Sequence, residues 1–251
     1  MYKNLTKTVF AGNQVYFLPS CHSTNDFASD FVTREDVPEG TVVITDNQVS
    51  GKGQRGNFWE SEAGENLTLS LILRPVSLDI KYHHFLNIAV SLGILELLKG
   101  YLNEGLMIKW PNDVYYNDKK IGALLIENNI KNNRIETSIV GIGINVNQKQ
   151  FEVPTAISLS QVTGRHYKLP ELFQNLMERV ESRILELRSN RLEELKKDYL
   201  DNLYWLNETH TFRAGKLFQG VIKGIDQNGR LVLLIEGEEM VFEVKEIEFV
   251  A

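Results

Sequence analysis

Two periodicities divide the chain. Its first third carries apolar runs of strand length: Val15-Tyr16-Phe17-Leu18, Thr41-Val42-Val43-Ile44-Thr45, and residues 66–73, where apolar and polar positions alternate at first. Residues 82–98 place Phe85, Ile88, Ala89, Leu92 and Leu95 on one helical face, the pattern of a helix packed on a sheet. Strand-like runs follow at 106–110, 120–127 and 136–145, with Asn117-Asp118 marking a turn before the second. From Pro170 to about Leu203 the period is helical, with Leu176, Val180, Ile184 and Leu187 three or four apart and Glu193 and Lys197 as a surface pair. After Asn207 the period returns to two. Val221-Ile222 and residues 231–234 flank an Asn228-Gly229 turn, and residues 240–244 follow Glu236-Gly237-Glu238. The pattern predicts an α+β fold, with a sheet and packed helices over residues 1–205 and a small C-terminal β-barrel over residues 206–251. No internal repeat or low-complexity linker interrupts it.

A chain of 251 residues accommodates one main domain with an appendage. Its 43% hydrophobic and 24% charged content belongs to globular rather than disordered chains. The net charge of −6 comes with no stripe of lysine and arginine, which argues against nucleic-acid binding. Cys21 is the only cysteine, so neither an internal disulfide nor a cysteine-cluster metal site can form, and a reducing compartment is the natural setting. Residues 1–5 lack an apolar signal core, and no run approaches the ~20 apolar residues of a membrane span. The expectation is a cytoplasmic protein with no membrane contact.

Candidate chemistry lies between these runs. Ser23-Thr24-Asn25-Asp26 follow the first strand with residue types that cap a helix. Gly51-Lys52-Gly53-Gln54-Arg55-Gly56 matches G-x-G-x-x-G, but Phe58-Trp59 leads into a β-type run. A dinucleotide site needs a helix there to receive the pyrophosphate. The motifs that accompany a kinase glycine loop are absent too. What remains is either a plain surface turn or a flexible loop with two cations, suited to closing over an anionic ligand. Lys109-Trp110-Pro111-Asn112-Asp113 stands at the end of a predicted strand, where open sheets place their sites, although Pro-Asn-Asp is also ordinary turn chemistry. Lys120 opens the next strand, either solvated or, if the strands pair, reaching back toward that block. Gly141-Ile142-Gly143-Ile144-Asn145 ends another strand, its glycines permitting close approach of a ligand or of a packed neighbour. His83 and His84, adjacent on a helix, point in different directions, and no metal-ligand spacing is present.

In this order, Ser23-Thr24-Asn25, the stretch Gly51-Lys52-Gly53-Gln54-Arg55-Gly56-Asn57-Phe58-Trp59, Lys109-Trp110-Pro111-Asn112-Asp113, Lys119-Lys120-Ile121-Gly122 and Gly141-Ile142-Gly143-Ile144-Asn145 closely resemble the biotin–protein ligase family over residues 15–165. The terminal segment resembles the family's small barrel only in position and character. The resemblance implies a mixed sheet with packed helices, the class II synthetase-like biotin/lipoate ligase fold, and two reactions at one site. Biotin and Mg-ATP give biotinyl-5′-AMP and pyrophosphate; a lysine on the biotin carboxyl carrier domain of a biotin-dependent carboxylase then takes the biotinyl group.

On the same resemblance Ser23, Thr24 and Gln48 hydrogen-bond the biotin rings, with Asn25 beside them, and Gly51, Lys52, Gly53, Gln54, Arg55, Gly56 and Trp59 fold over biotin and adenylate. Lys120, next to Gly122, meets the biotin carboxylate and α-phosphate; Asn112 and Asn145 serve the nucleotide; Asp113 handles the second substrate or Mg2+. Lys120, Arg55 and Asp113 are the expected catalytic set. Gln54 and Asn57 stand where relatives often carry arginine, which implies weaker retention of the adenylate. Only about twenty residues precede Ser23, too few for the helix-turn-helix domain of some relatives, so a monofunctional ligase is expected. A homodimer stays open. So do two rivals: a lipoate–protein ligase with the same fold, and a biotin- or nucleotide-sensing regulator without turnover.

Overall fold

The structure, a computed structural model, describes residues 2–75 and 78–250, with Arg55 described by its backbone alone. Strands β1 (Val15–Cys21), β2 (Val42–Gln48), β3 (Leu67–Leu73), β4 (Leu106–Lys109), β5 (Asp113–Tyr116), β6 (Lys119–Lys131) and β7 (Arg134–Ile144) form one sheet in the order β1-β2-β3-β7-β6-β5-β4. Only β1 and β2 run parallel, joined through helix α1 (Thr24–Arg34), so the sheet is mixed as the resemblance implies. Ser23 is the α1 N-cap, its side chain accepting from the Asp26 N–H.

Alternation along the central strands gives the sheet two unlike faces. Leu67, Leu69, Leu71 and Leu73 of β3, with Val140, Ile142 and Ile144 of β7, enter the main core. There α2 (His84–Lys99) lies between the sheet and α4 (Leu169–Arg188), with α5 (Leu192–Leu200) beside it. A helix enclosed in this way is apolar nearly all round, and twelve of its sixteen residues are buried. On the opposite face Val43, Ile72 and Ile139 meet Ala28 and Phe31 of α1 in a smaller cluster. A short helix, α3 (Leu159–Thr163), carries a Ser158/Gln161 capping box.

The helical period from Pro170 to Leu203 resolves into two helices because Asn190 adopts φ 57° and turns the chain between them. The ion pair of Lys197 runs to Asp201 at 2.5 Å, one turn onward, in place of the expected Glu193. Strand β5 falls where only turn chemistry is legible. It has four residues and pairs with β4 across the tight Trp110-Pro111-Asn112 turn, in which the Trp110–Pro111 peptide is cis.

Strands β8 (Thr209–Ala214), β9 (Lys216–Ile225), β10 (Leu231–Ile235), β11 (Glu238–Phe242) and β12 (Glu248–Val250) form a second, antiparallel sheet in the order β11-β10-β9-β8-β12. Among the described residues its ladders leave β11 and β12 as edges, so the expected barrel is seen as a five-stranded sheet. Phe212, Ile222, Leu231 and Leu233 of this sheet belong to the same buried cluster as β3 and α2, so one core serves both sheets. Among the described residues no helix is long and apolar enough to cross a membrane.

Candidate active site

The face of the first sheet turned toward α1 is where small residues gather. Register places Thr68, Gly143 and Ala123 in one row across β3, β7 and β6, and Ser70, Gly141 and Leu125 in the next. Small side chains leave a depression of about 170 Å³, walled by the start of α1, the glycine loop and the 111–113 turn. The two glycines are required by close neighbours: a Cβ on Gly141 would stand 2.5 Å from Asn25 Oδ1, and one on Gly143 would collide with the Trp59 indole. The packed neighbour that the glycine pair was expected to admit is thus present, and Gly141 and Gly143 themselves line the pocket beside Asn25 and Trp59.

A polar network secures the α1 end. Gln48 Oε1 accepts from the Thr24 N–H at 2.9 Å and from its hydroxyl at 3.3 Å. Ser70 Oγ lies 2.8 Å from Thr24 Oγ1 and donates to Asn25 Oδ1 at 2.5 Å, while Asn25 Nδ2 donates to Glu127 Oε2 at 2.7 Å. Thr24, Asn25, Gln48 and Ser70 are all buried, so these bonds fix orientations water would otherwise leave free.

At the other end Lys120 Nζ lies 2.6 Å from Asp113 Oδ2, with both side chains partly open to solvent. The antiparallel pairing of β5 with β6, irregular between Val114 and Tyr115, brings the two together. Asn112 donates its amide to the Leu124 carbonyl and receives the Leu124 N–H at 3.1 Å, which pins the turn to β6. Among the described residues no group of three histidine, cysteine or carboxylate side chains gathers to hold a metal. Asp113 is the carboxylate on the pocket wall, a donor set suited to a cation that arrives already ligated by phosphate.

The glycine loop closes on itself. Gly53 N–H donates to the Asn57 carbonyl at 2.7 Å and Trp59 N–H to that of Gly51 at 3.0 Å, around a 3-10 turn at Gln54–Gly56. Lys52 Nζ pairs with Asp26 Oδ1 at 2.5 Å, and this hydrogen bond raises the lysine pKa. The Trp59 Nε1–H is buried without a partner.

Eleven of the expected site residues line the pocket: Ser23, Thr24, Asn25, Gln48, Lys52, Gly53, Gln54, Trp59, Asn112, Asp113 and Lys120. Gly51 and Gly56 lie instead in a groove between the loop and β6, beside Glu127. Gly122 and Asn145 are not on the pocket wall. Asn145 is buried behind Lys120, its amide donating to Ile157 O at 3.2 Å and Lys120 O at 3.4 Å, with Oδ1 unpaired. The Arg55 side chain lies outside the described residues. Thr68, Ser70 and Glu127 join the site without having been expected; the polar alternation of residues 66–73 was the one signal for Thr68 and Ser70, and Glu127, at the far end of the 120–127 run, had none.

A profile of the biotin/lipoate A/B protein ligase family matches residues 17–145, which span this pocket. The chain is 31% identical over 241 residues to the bifunctional ligase/repressor BirA of Bacillus spizizenii, covering 93% of this chain and 72% of that protein. It is 27% identical over 217 residues to the biotin–[acetyl-CoA-carboxylase] ligase of Mycobacterium tuberculosis, covering 83% and 79%. In fold it is similar to the biotin protein ligase of Aquifex aeolicus solved with biotin and ATP, with a TM-score of 0.78, 24% identity, and coverage of 94% and 97%. The chain belongs to the biotin/lipoate A/B protein ligase family.

Proposed function

We propose that this protein is an ATP-dependent biotin protein ligase, which forms biotinyl-5′-AMP and passes the biotinyl group to a lysine on the carrier domain of a biotin-dependent carboxylase. The observation that carries the reading is the Lys120–Asp113 pair at one end of a floor of small residues whose other end is a fixed polar network. In the first step a biotin carboxylate oxygen bonds to the α-phosphorus and the bond to the bridging oxygen breaks, releasing pyrophosphate. Lys120 stabilises the negative charge that crowds the carboxylate and phosphate, as a cation held in place by Asp113. Lys52 and Arg55 bring further positive charge on the loop. In the second step a carrier amine attacks the acyl carbon, AMP departs, and the amine proton leaves by way of Asp113. Magnesium would neutralise the triphosphate charge, with Asp113 the side chain placed to hold it.

The network around Thr24, Asn25, Gln48 and Ser70 supports biotin over lipoate. A cyclic urea offers two donors and a carbonyl that such groups can bond, whereas a dithiolane offers them no hydrogen-bonding partner. Within this reading residues 1–205 carry the chemistry, residues 206–251 are an appended domain, and the enzyme works in the cytoplasm. Pyrophosphate exchange into ATP tests the first step apart from any carrier. Exchange dependent on biotin is expected; exchange dependent on lipoate would move the protein to the lipoate branch, and exchange with neither acid would leave the regulator.

A further inference from the structure

Residues 109 and 110 open the turn that carries Asn112 and Asp113, yet neither lines the pocket. Both are held from behind by the C-terminal part of the chain. Lys109 Nζ lies 3.3 Å from Tyr115 Oη, 4.7 Å from the Tyr115 ring centroid, 4.8 Å from that of Phe249 in β12, and 5.9 Å from that of Tyr204. Among the described residues it forms no ion pair within 4.0 Å, and burial lowers its pKa. A half-buried ammonium facing three aromatic rings is held by its charge, an attraction no neutral side chain reproduces.

Trp110 is buried and donates Nε1–H to the Gly229 carbonyl at 2.9 Å, in the turn between β9 and β10. Gly229 has φ +80°, and a Cβ there would stand 2.7 Å from His84, so this turn sits flush against the start of α2. Backbone contacts complete the arrangement. Ile108 N–H donates to Asn202 O at 2.8 Å and Tyr204 N–H to Ile108 O at 2.9 Å, while Tyr204 Oη donates to Asp118 at 2.6 Å. The strand leading into the Asn112–Asp113 turn is thus fixed along its outer edge and at its tip by residues 202–250.

We propose that Lys109 and Trp110 are positioning residues for the adenylation step, through which the C-terminal sheet sets where Asn112 and Asp113 stand against the nucleotide. This rests on the ligase reading above. The sheet then contributes to catalysis without touching substrate. Loosening either contact moves the turn, and with it the nucleotide end of the pocket, while the polar network that would receive the biotin rings, on α1, β2 and β3, stays in place. The effect belongs in KM for ATP, because small displacements of positioning groups are felt strongly where a reactant is aligned.

Biotin-dependent pyrophosphate exchange on the full chain separates these outcomes. Trp110→Phe keeps an aromatic ring and removes the donor; Phe249→Leu removes one wall of the cage and Phe249→Tyr restores it. Trp110→Phe and Phe249→Leu are each expected to raise KM for ATP about five- to tenfold, the scale of one lost polar contact, with KM for biotin and the melting temperature nearly unchanged. Phe249→Tyr should return to wild-type values, and Leu217→Ser, on an exposed residue of β9, should alter neither constant. Unchanged KM for ATP in both variants, or a joint rise of both KM values with a fall in melting temperature, would overturn the positioning role while leaving the ligase reading intact. Wild-type protein with no biotin-dependent exchange would overturn the ligase reading, and this inference with it.

Discussion

At the pocket mouth Lys120 and Asp113 hold each other at 2.6 Å, so the cation that the proposed adenylation calls on is held in place before any substrate arrives. Lys120→Ala removes it without disturbing the polar network at the far end. Pyrophosphate exchange in this variant should fall on the order of 10²-fold or more, and near-normal turnover would place the essential cation elsewhere. Residues of this kind were legible in the sequence because they stand in short ordered blocks of charge, amide and glycine. Asn145 was legible only as a member of its block: burial turns its amide to the backbone beneath Lys120, a direction spacing does not encode. Thr68 and Ser70 were hidden because alternation along a strand shows that two faces differ without showing which one bears a ligand. The Lys52–Asp26 pair spans 26 positions and depends on the loop folding back over α1, which no local pattern reveals.

Between elements the most demanding contact is made by Glu181 of α4. The residue is 6% exposed, and its carboxylate accepts the N–H groups of Val9, Phe10 and Ala11 at 2.7–2.9 Å, tying the segment before β1 to the helix layer. Glu181→Ala leaves three donors without their acceptor. It should cost about 3 kcal/mol or more in urea unfolding, given that each bond to a charged group contributes roughly 1.5–3 kcal/mol; a loss near zero would mean that water serves these donors equally well. Helix α2 and the central strands were readable because enclosed elements carry long apolar runs. Strand β5 was not, since four residues after a Pro-Asn-Asp turn give too short a period, and β12 is shorter still. The separation of α4 from α5 depends on the left-handed backbone at Asn190, whose neighbours continue the helical spacing. The parallel β1–β2 pair and the junction of the two sheets are long-range outcomes that periodicity cannot report.

Across the whole molecule the two sheets meet where His84, at the start of α2, lies against the Gly229 turn. Burial first, then the positive charge of neighbouring His83, lowers the His84 pKa to about 4; Asp226 opposes the shift and Lys196 adds to it. The folded protein therefore keeps this imidazole neutral over a range in which the unfolded chain, with an ordinary value of 6.5, takes up a proton. Above pH 6.5 both states are neutral and the histidine adds no pH dependence. As pH falls from 6.5 toward about 4 the unfolded state gains protons the folded state refuses, so stability declines across that window and the decline ends below it. His84 is only partly buried, which limits the loss to about 1–2 kcal/mol. His84→Gln abolishes this titration. Urea unfolding at several pH values between 7 and 4 should show a shallower fall in stability for the variant than for the wild type, the two curves separating below pH 6.5. Parallel curves would mean that protonated His84 is accommodated at the junction, and that the contact between α2 and the C-terminal sheet does not depend on its neutrality.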